Sequence, residues 1–143
     1  GSRLARTGMK SDPKIAAMEQ VPLFERCSKK ELASIASLAD EVDLPAGKVL
    51  ASEGDRGREF FVLLEGSAAV RHDGQDLPPL GAGDFFGEIA LVTDKARTAT
   101  VTTTSPMRAL VITDRAFREL LRNSPEIQGK VLAAVADRLA ATL

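Results

Sequence analysis

A short segment in the second half of the chain carries the residue types best suited to hold a polar ligand. Gly87 permits a close backbone approach or a backbone angle that other residues avoid. Residues 88–91 can form one helical turn, whose free N–H groups attract an anion. Glu88 can accept from a hydroxyl, and the planar fork of Arg97 suits a phosphate. Together these groups predict a site for a ligand that has both a hydroxyl and an ionised phosphate.

The elements that would position this segment are short strands broken by turns. Residues 59–65 are almost wholly apolar between two glutamates, as expected of a strand covered on both faces. Asp73-Gly74 is typical of a hairpin turn. The stretches Thr98–Thr104 and Met107–Thr113 are two further predicted strands. About eight strands at this spacing favour a sandwich, a barrel or a jelly roll.

Helices are predicted at both ends of the chain. Asp12-Pro13 opens a short helix that runs to about Gln20, and Ser28 begins another with a capping box to Glu31. Asp114 is the predicted cap of a helix after the last strand. Ser124-Pro125 is a strong start for a final helix, on which a stripe of apolar residues recurs at helical spacing: Ile127, Val131, Val135 and Leu139.

Composition narrows the function classes. The 143 residues suit one domain, and a net charge of −1 without a basic excess argues against a nucleic-acid partner. The lone cysteine, Cys27, is predicted to be a small buried residue, and its lack of a disulfide partner fits a reducing, cytoplasmic compartment. We find no apolar run long enough to insert into a membrane. Gly1-Ser2 is typical of a cloning remnant, and residues 1–10 are expected to be a tag or a disordered lead.

The segment 86–91, followed by Arg97-Thr98-Ala99, resembles the phosphate-binding cassette of the cyclic nucleotide-binding domain family. The resemblance extends from about Gln20 to the C-terminus. It implies an α+β fold: an eight-stranded antiparallel β-roll, or jelly-roll-like barrel, flanked by N-terminal helices and two C-terminal helices. The expected domain covers residues 11–143, with a helical lead-in at 11–40, a barrel at 41–113 and closing helices at 114–143.

The resemblance also implies roles for individual residues. Glu88 resembles the family's ribose-binding glutamate, and Arg97 resembles its phosphate-binding arginine. Gly87, Ile89 and Ala90 match the positions that contribute backbone groups.

Other implied contacts concern the base. Thr98 matches a position that reaches the phosphate or the 2-amino group of guanine, while Val70 and Leu80 match positions that line the base pocket. Arg138, on the final helix, matches a base-contacting arginine of channel members. The family often has proline where this chain has Ala96, and the final helix offers no aromatic residue to cap the base.

The function implied is that of a sensor for cAMP, or for cGMP, without a cofactor or a metal. The final helix would close over the bound nucleotide, and the signal would pass to an effector domain or protein or to a second copy in a homodimer. A degenerate domain that serves only as an interaction or dimerisation module is the alternative. An enzyme of the cupin type is disfavoured, because such sites use several histidines and the chain has only His72.

Overall fold

Two antiparallel sheets form the centre of the protein. The computed structural model describes residues 13–87 and 96–142, and within these ranges eight strands are present. They are β1 (Asp40–Leu44), β2 (Val49–Ala51), β3 (Glu59–Glu65), β4 (Ala68–His72), β5 (Gln75–Leu80), β6 (Phe85–Phe86), β7 (Thr100–Thr103) and β8 (Met107–Thr113). The first sheet has the order β1-β8-β3-β6 and the second the order β2-β7-β4-β5. The predicted eight-stranded β-roll is confirmed, with two separate sheets across the described residues in place of a closed barrel.

Strand β3 shows why both faces of the first sheet are covered. Successive side chains of a strand point to opposite faces, and every residue from Phe60 to Leu63 is buried. Phe60 and Val62 belong to a core that faces the helices. Phe61 and Leu63 belong to a second core, shared with strands of the other sheet. The apolar run therefore forms a central strand, as predicted.

The helices pack on the outer face of the first sheet. Residues 13–19 are helical and form α1. A 3₁₀ turn follows at Pro22–Phe24, then α2 at Lys29–Ala36. After the strands come α3 (Asp114–Asn123) and α4 (Pro125–Thr142). All of these elements contribute buried apolar side chains to the helix-facing core: Met18, Leu23, Phe24, Leu32, Ile35, Phe117, Ile127 and Val131.

Local capping decides where these helices begin. Ser28 accepts from the Glu31 backbone N–H, and Glu31 accepts from the Ser28 N–H, so the predicted capping box is confirmed. The cap predicted at Asp114 is wrong by one residue. The Thr113 side chain accepts from Ala116 N and caps α3, because β8 leaves Thr113 in an extended conformation. Asp114 is instead the first residue of the helix.

Two other predictions need correction. The strand expected at Thr98–Thr104 is β7, which spans only Thr100–Thr103. It starts late because the backbone of Arg97, just before the predicted strand, bonds to the loop at 54–55. Cys27 is half-buried instead of buried, and this partial burial is the main cause of the raised pKa of its thiol. The first helix ends at residue 19, within one residue of its predicted end at about Gln20.

The hairpin between β4 and β5 matches its predicted turn. Asp73 and Gly74 both have positive φ, 52° and 78°, as a two-residue hairpin turn of the primed type requires. His72 and Gln75 pair on either side of it. None of the helices in the described ranges is long and apolar enough to span a membrane.

Candidate functional site

Arg97 lies just before β7, and backbone hydrogen bonds hold it to a loop between β2 and β3. Its N–H donates to the carbonyl oxygen of Asp55 at 2.7 Å, and its own carbonyl accepts from Gly54 N at 2.9 Å. Its guanidinium Nη2 donates to the carbonyl oxygen of Glu59 at 2.7 Å. Arg97, which directly precedes the strand predicted at Thr98–Thr104, therefore lies in a loop, and β7 begins only at Thr100. Backbone hydrogen bonds to the loop at 54–55 hold Arg97 in place, together with the hydrogen bond from its guanidinium to Glu59 at the start of β3.

Two glycines make room for the Arg97 side chain. A Cβ atom at Gly57 would lie 1.6 Å from Arg97 Nε, so any other residue would displace the guanidinium. A Cβ atom at Gly87 would lie 2.7 Å from Arg97 Nη1 and 2.6 Å from the Glu59 carbonyl oxygen. Gly87 also has a φ of 93°, in the region that favours glycine. The fold thus brings three loops together around one guanidinium.

Gly57 was not predicted as a site residue. The sequence marks it only as one of two glycines in a loop. It contacts Arg97 through tertiary structure, and no pattern in the neighbouring sequence indicates a contact between residues so far apart. The same holds for the carbonyl oxygens of Asp55 and Glu59, which any residue type at those positions would supply.

A small cavity lies beside this arrangement. It has a volume of about 170 Å³ and is bounded by residues of β2, by the loop at 55–59 and by Arg97. Pockets that enclose a whole small-molecule ligand are usually about 300–1,000 Å³. This cavity therefore suits one charged group of a ligand, such as a phosphate, and further walls would be needed for the remainder.

Thr98 is exposed, and a side chain from the β4–β5 hairpin holds its backbone. His72 Nδ1 lies 2.6 Å from the Thr98 carbonyl oxygen. Because a carbonyl oxygen can only accept, this hydrogen bond requires a proton on Nδ1. Glu53 Oε2 lies 3.3 Å from the same nitrogen. His72 is exposed, and its hydrogen bond to the residue after Arg97 is a contact that the sequence did not indicate.

The two candidate base-pocket residues lie on the second sheet. Val70 in β4 pairs with Val101 of β7, and Leu80 at the end of β5 pairs with Ala68. Both are partly buried against the core between the sheets. Phe86, which precedes Gly87, is buried in the same core.

Several predicted site residues lie outside the part of the chain that the structure describes. Glu88, Ile89 and Ala90 fall in residues 88–95, which the structure does not describe. Arg138 lies in α4, but its side chain is likewise outside the described part. Among the side chains that are described, no group of three or more His, Cys, Asp or Glu could hold a metal ion.

An ion pair joins the final helix to the N-terminal helices. Lys130 Nζ in α4 lies 2.6 Å from Glu31 Oε1 in α2. The hydrogen bond from Lys130 is the main cause of the lowered pKa of the Glu31 carboxyl. The hydrogen bond to Glu31 likewise raises the pKa of Lys130. The other carboxylate oxygen of Glu31 is buried without a hydrogen-bond partner among the described groups.

Comparison with known proteins adds sequence and fold relationships. The family model described as "Cyclic nucleotide-binding domain" matches residues 41–124. A cAMP-dependent protein kinase regulatory subunit of Mycosarcoma maydis is 36% identical over 132 residues, 80% of this chain and 25% of the relative. The chain thus spans about a quarter of the length of the curated relatives that it matches.

Solved structures show the same architecture. The N-terminal domain of a transcriptional regulator from Streptomyces coelicolor A3(2) has a TM-score of 0.74 and 30% identity, and the match covers 88% of this chain and 94% of that one. The regulatory domain of Toxoplasma gondii PKA, crystallised with cAMP, has a TM-score of 0.79 at 20% identity, covering 94% and 51%. At that identity the second likeness shows the fold alone.

Proposed function

Because the chain belongs to the cyclic nucleotide-binding domain family, we propose that it is a sensor domain that binds cAMP and, more weakly, cGMP. The observation that carries the proposal is the placement of Arg97. The loop at 54–57 holds its backbone, and Gly57 and Gly87 leave space for its guanidinium. A planar, permanently charged fork in such a glycine-lined position suits a phosphate.

The roles of the ligand-binding residues follow from ligand chemistry. Arg97 pairs with the cyclic phosphate, and Glu88 accepts from the ribose 2′-hydroxyl. Gly87, Ile89 and Ala90 supply backbone N–H groups, which add to the attraction for an anion.

The base would occupy the space beside the second sheet. Val70 and Leu80 are partly buried there and offer apolar surface to a purine. Thr98 contacts the phosphate or the 2-amino group of guanine, and Arg138 of α4 contacts the base. cAMP is favoured because several similar proteins are cAMP-dependent kinase regulatory subunits.

The output of binding is a change in the final helix. A ligand can shift a conformational equilibrium only through a difference in affinity for the two states. Closure of α4 over the base would provide that difference. The domain acts without catalysis, in the cytoplasm, through an effector domain or partner protein.

Thermal unfolding with cAMP, cGMP, 5′-AMP and no ligand tests the proposal. At a hundred times its dissociation constant, a ligand stabilises the folded state by about 2.7 kcal/mol. For a domain of this size we expect the midpoint to rise by roughly 5–11 °C. The rise should occur with cAMP and not with 5′-AMP, which lacks the cyclic phosphate. Unchanged midpoints with both cyclic nucleotides would favour an interaction module with an empty pocket.

A matched pair of arginine variants tests the role of Arg97. Arg97→Ala should weaken cAMP binding by about 2–5 kcal/mol, because it removes one side of a charge pair with the phosphate. Arg71→Ala is the control, since Arg71 is an exposed arginine of β4 that pairs with Asp76 at 3.2 Å. Isothermal titration calorimetry should show wild-type affinity for the control. Wild-type affinity in Arg97→Ala would remove this arginine from the phosphate site.

A further inference from the structure

A basic groove lies between the start of β3 and the two C-terminal helices. Four arginines line it: Arg58 before β3, and Arg115, Arg118 and Arg122 on α3. The only carboxylate among its described lining residues is Asp114, and the cavity has a volume of about 530 Å³. The whole chain has a net charge of −1. The groove is therefore a local concentration of positive charge and does not reflect the average composition.

The single carboxylate is already engaged inside the protein. Asp114 is buried, and its carboxylate accepts from Arg115 N at 2.7 Å. Its other oxygen lies 3.4 Å from Arg118 Nη2.

Three arginines of the groove are exposed and lack a carboxylate partner among the described residues. Arg58, Arg115 and Arg122 are exposed. Across residues 13–87 and 96–142, no carboxylate forms an ion pair with any of them. Their positive charge is thus not neutralised by any carboxylate of the described residues, and it is available to an anionic partner.

The spacing of the arginines on α3 sets the size of that partner. Arg115, Arg118 and Arg122 are three, four and seven residues apart, so they lie along one face of the helix. Seven residues of α-helix span about 10 Å. That distance matches about three residues of extended peptide.

Apolar surface in the groove distinguishes between classes of anion. Leu121 and Leu132 line the same cavity, and Leu132 is a large apolar side chain with 43% of its surface exposed. A free phosphate or the phosphate backbone of a nucleic acid has no apolar side chain that could cover these two leucines. A peptide can bring carboxylates and an aliphatic side chain together.

We infer that this groove binds an acidic peptide segment of a partner protein, with an aliphatic residue among its carboxylates. The arginine forks would pair with the carboxylates, a geometry that arginine favours over lysine. Leu121 and Leu132 would pack against the aliphatic side chain. Such binding does not depend on a nucleotide. The groove nevertheless adjoins the candidate nucleotide site, because Arg58 stands between Gly57 and Glu59 and its carbonyl accepts from Asp114 N at 2.8 Å.

Fluorescence anisotropy with a labelled peptide of the sequence Glu-Glu-Leu-Glu-Glu tests the inference on the full chain. We expect saturable binding that weakens as salt rises from about 0.05 M to about 0.5 M, because added salt screens exposed charges. The neutral peptide Gln-Gln-Leu-Gln-Gln should not bind. Equal binding of the two peptides, or no binding of the acidic one, would overturn the inference.

Charge-reversed variants locate the binding surface. Arg115→Glu combined with Arg122→Glu should weaken the acidic peptide at least about tenfold. The control is Lys48→Glu combined with Arg71→Glu, which changes the net charge equally at exposed positions away from the groove. Leu132→Ala should give a smaller loss of about threefold, since it removes only partly exposed apolar surface.

Two results of the variant series would contradict the groove as a peptide site. One is an equal loss of affinity in both double variants, which would indicate nonspecific attraction by net charge. The other is tight binding of a heparin fragment that Arg115→Glu with Arg122→Glu abolishes, while the peptide fails to bind. That result would assign the groove to polyanions such as nucleic acid.

Discussion

The two faces of the first sheet differ in what they bury. The helix-facing side holds large side chains that are fully enclosed, among them Phe60 and Phe117, whose rings meet edge to face with centroids 5.7 Å apart. The core shared with the second sheet holds several alanines, such as Ala68 of β4 and Ala109 of β8, and Phe61 stacked on Phe86 with ring centroids 4.7 Å apart. Partly buried aliphatic residues pack against this second core.

This difference separates stability from ligand binding. Large, fully buried side chains contribute most to the free energy of folding. Most of them lie on the side away from the second sheet, where the nucleotide is not proposed to bind. Smaller and partly exposed side chains, together with the Arg97 loop, lie where the ligand is proposed. A substitution on the helix-facing side should therefore affect mainly stability, and a substitution near Arg97 should affect mainly ligand binding.

The largest expected effect is on the helix-facing side. Phe60→Ala should lower the free energy of unfolding by about 3–5 kcal/mol, because it leaves a cavity in a close-packed core. Chemical denaturation measures this loss, with Leu77→Ala, an exposed position of β5, as the nearly neutral control. Phe60→Leu gives a smaller loss of the same sign if the alanine variant does not fold. If the Phe60 variants lost no more free energy of unfolding than Leu77→Ala, stability could not be assigned to the helix-facing side.

A second variant should affect binding and leave stability nearly unchanged. Gly57→Ala places a Cβ atom where Arg97 Nε now lies, 1.6 Å away, so the guanidinium must move. We expect cAMP to bind at least about tenfold more weakly, or about 1.4 kcal/mol. Gly81→Ala is the control, because its Cβ would meet nothing within 4 Å. Calorimetry of both variants would refute the role of Gly57 if their affinities matched.

A smaller effect is expected at Thr98. If its hydroxyl contacts the 2-amino group of guanine, Thr98→Ala should cost cGMP about 1 kcal/mol more than cAMP, the usual net value of one hydrogen bond. Thr104→Ala, at another exposed threonine, should cost neither ligand anything. Competition binding with both nucleotides measures the difference. An equal cost for cAMP and cGMP would remove Thr98 from guanine recognition.

The smallest effect concerns the ion pair between α2 and α4. The pKa of Glu31 is lowered in the folded state, so its contribution is complete above its unfolded pKa and is lost as pH falls through the folded value. The pKa of Lys130 is raised, so its contribution is present below its unfolded pKa and is lost as pH rises through the folded value. Lys130→Met should thus destabilise the protein near neutral pH and less so in acid.

Melting midpoints across this pH range would measure that difference. Asp76→Asn, which removes an exposed partner of Arg71, controls for the loss of a surface charge. A destabilisation by Lys130→Met that stayed constant into acid would show that the ion pair is not its cause.

Sequence patterns predicted the local structure well. The apolar run of β3, the hairpin at Asp73-Gly74 and the capping box at Ser28 were all predicted, because each depends on residues close together in the chain. One error lies where distant groups compete for the backbone. β7 starts late because the backbone of Arg97 bonds to the loop at 54–55.

The candidate site divides in the same way. The sequence by itself determined the residue types of the proposed phosphate site, since Gly87, Glu88 and Arg97 lie within one short segment. Only the tertiary structure decided that Gly57 borders the Arg97 guanidinium, that His72 holds Thr98 and that Arg58 joins the α3 arginines in one groove. Hydrogen-bond capping and hydrophobic periodicity act over a few residues, whereas these contacts depend on how separate strands and loops pack.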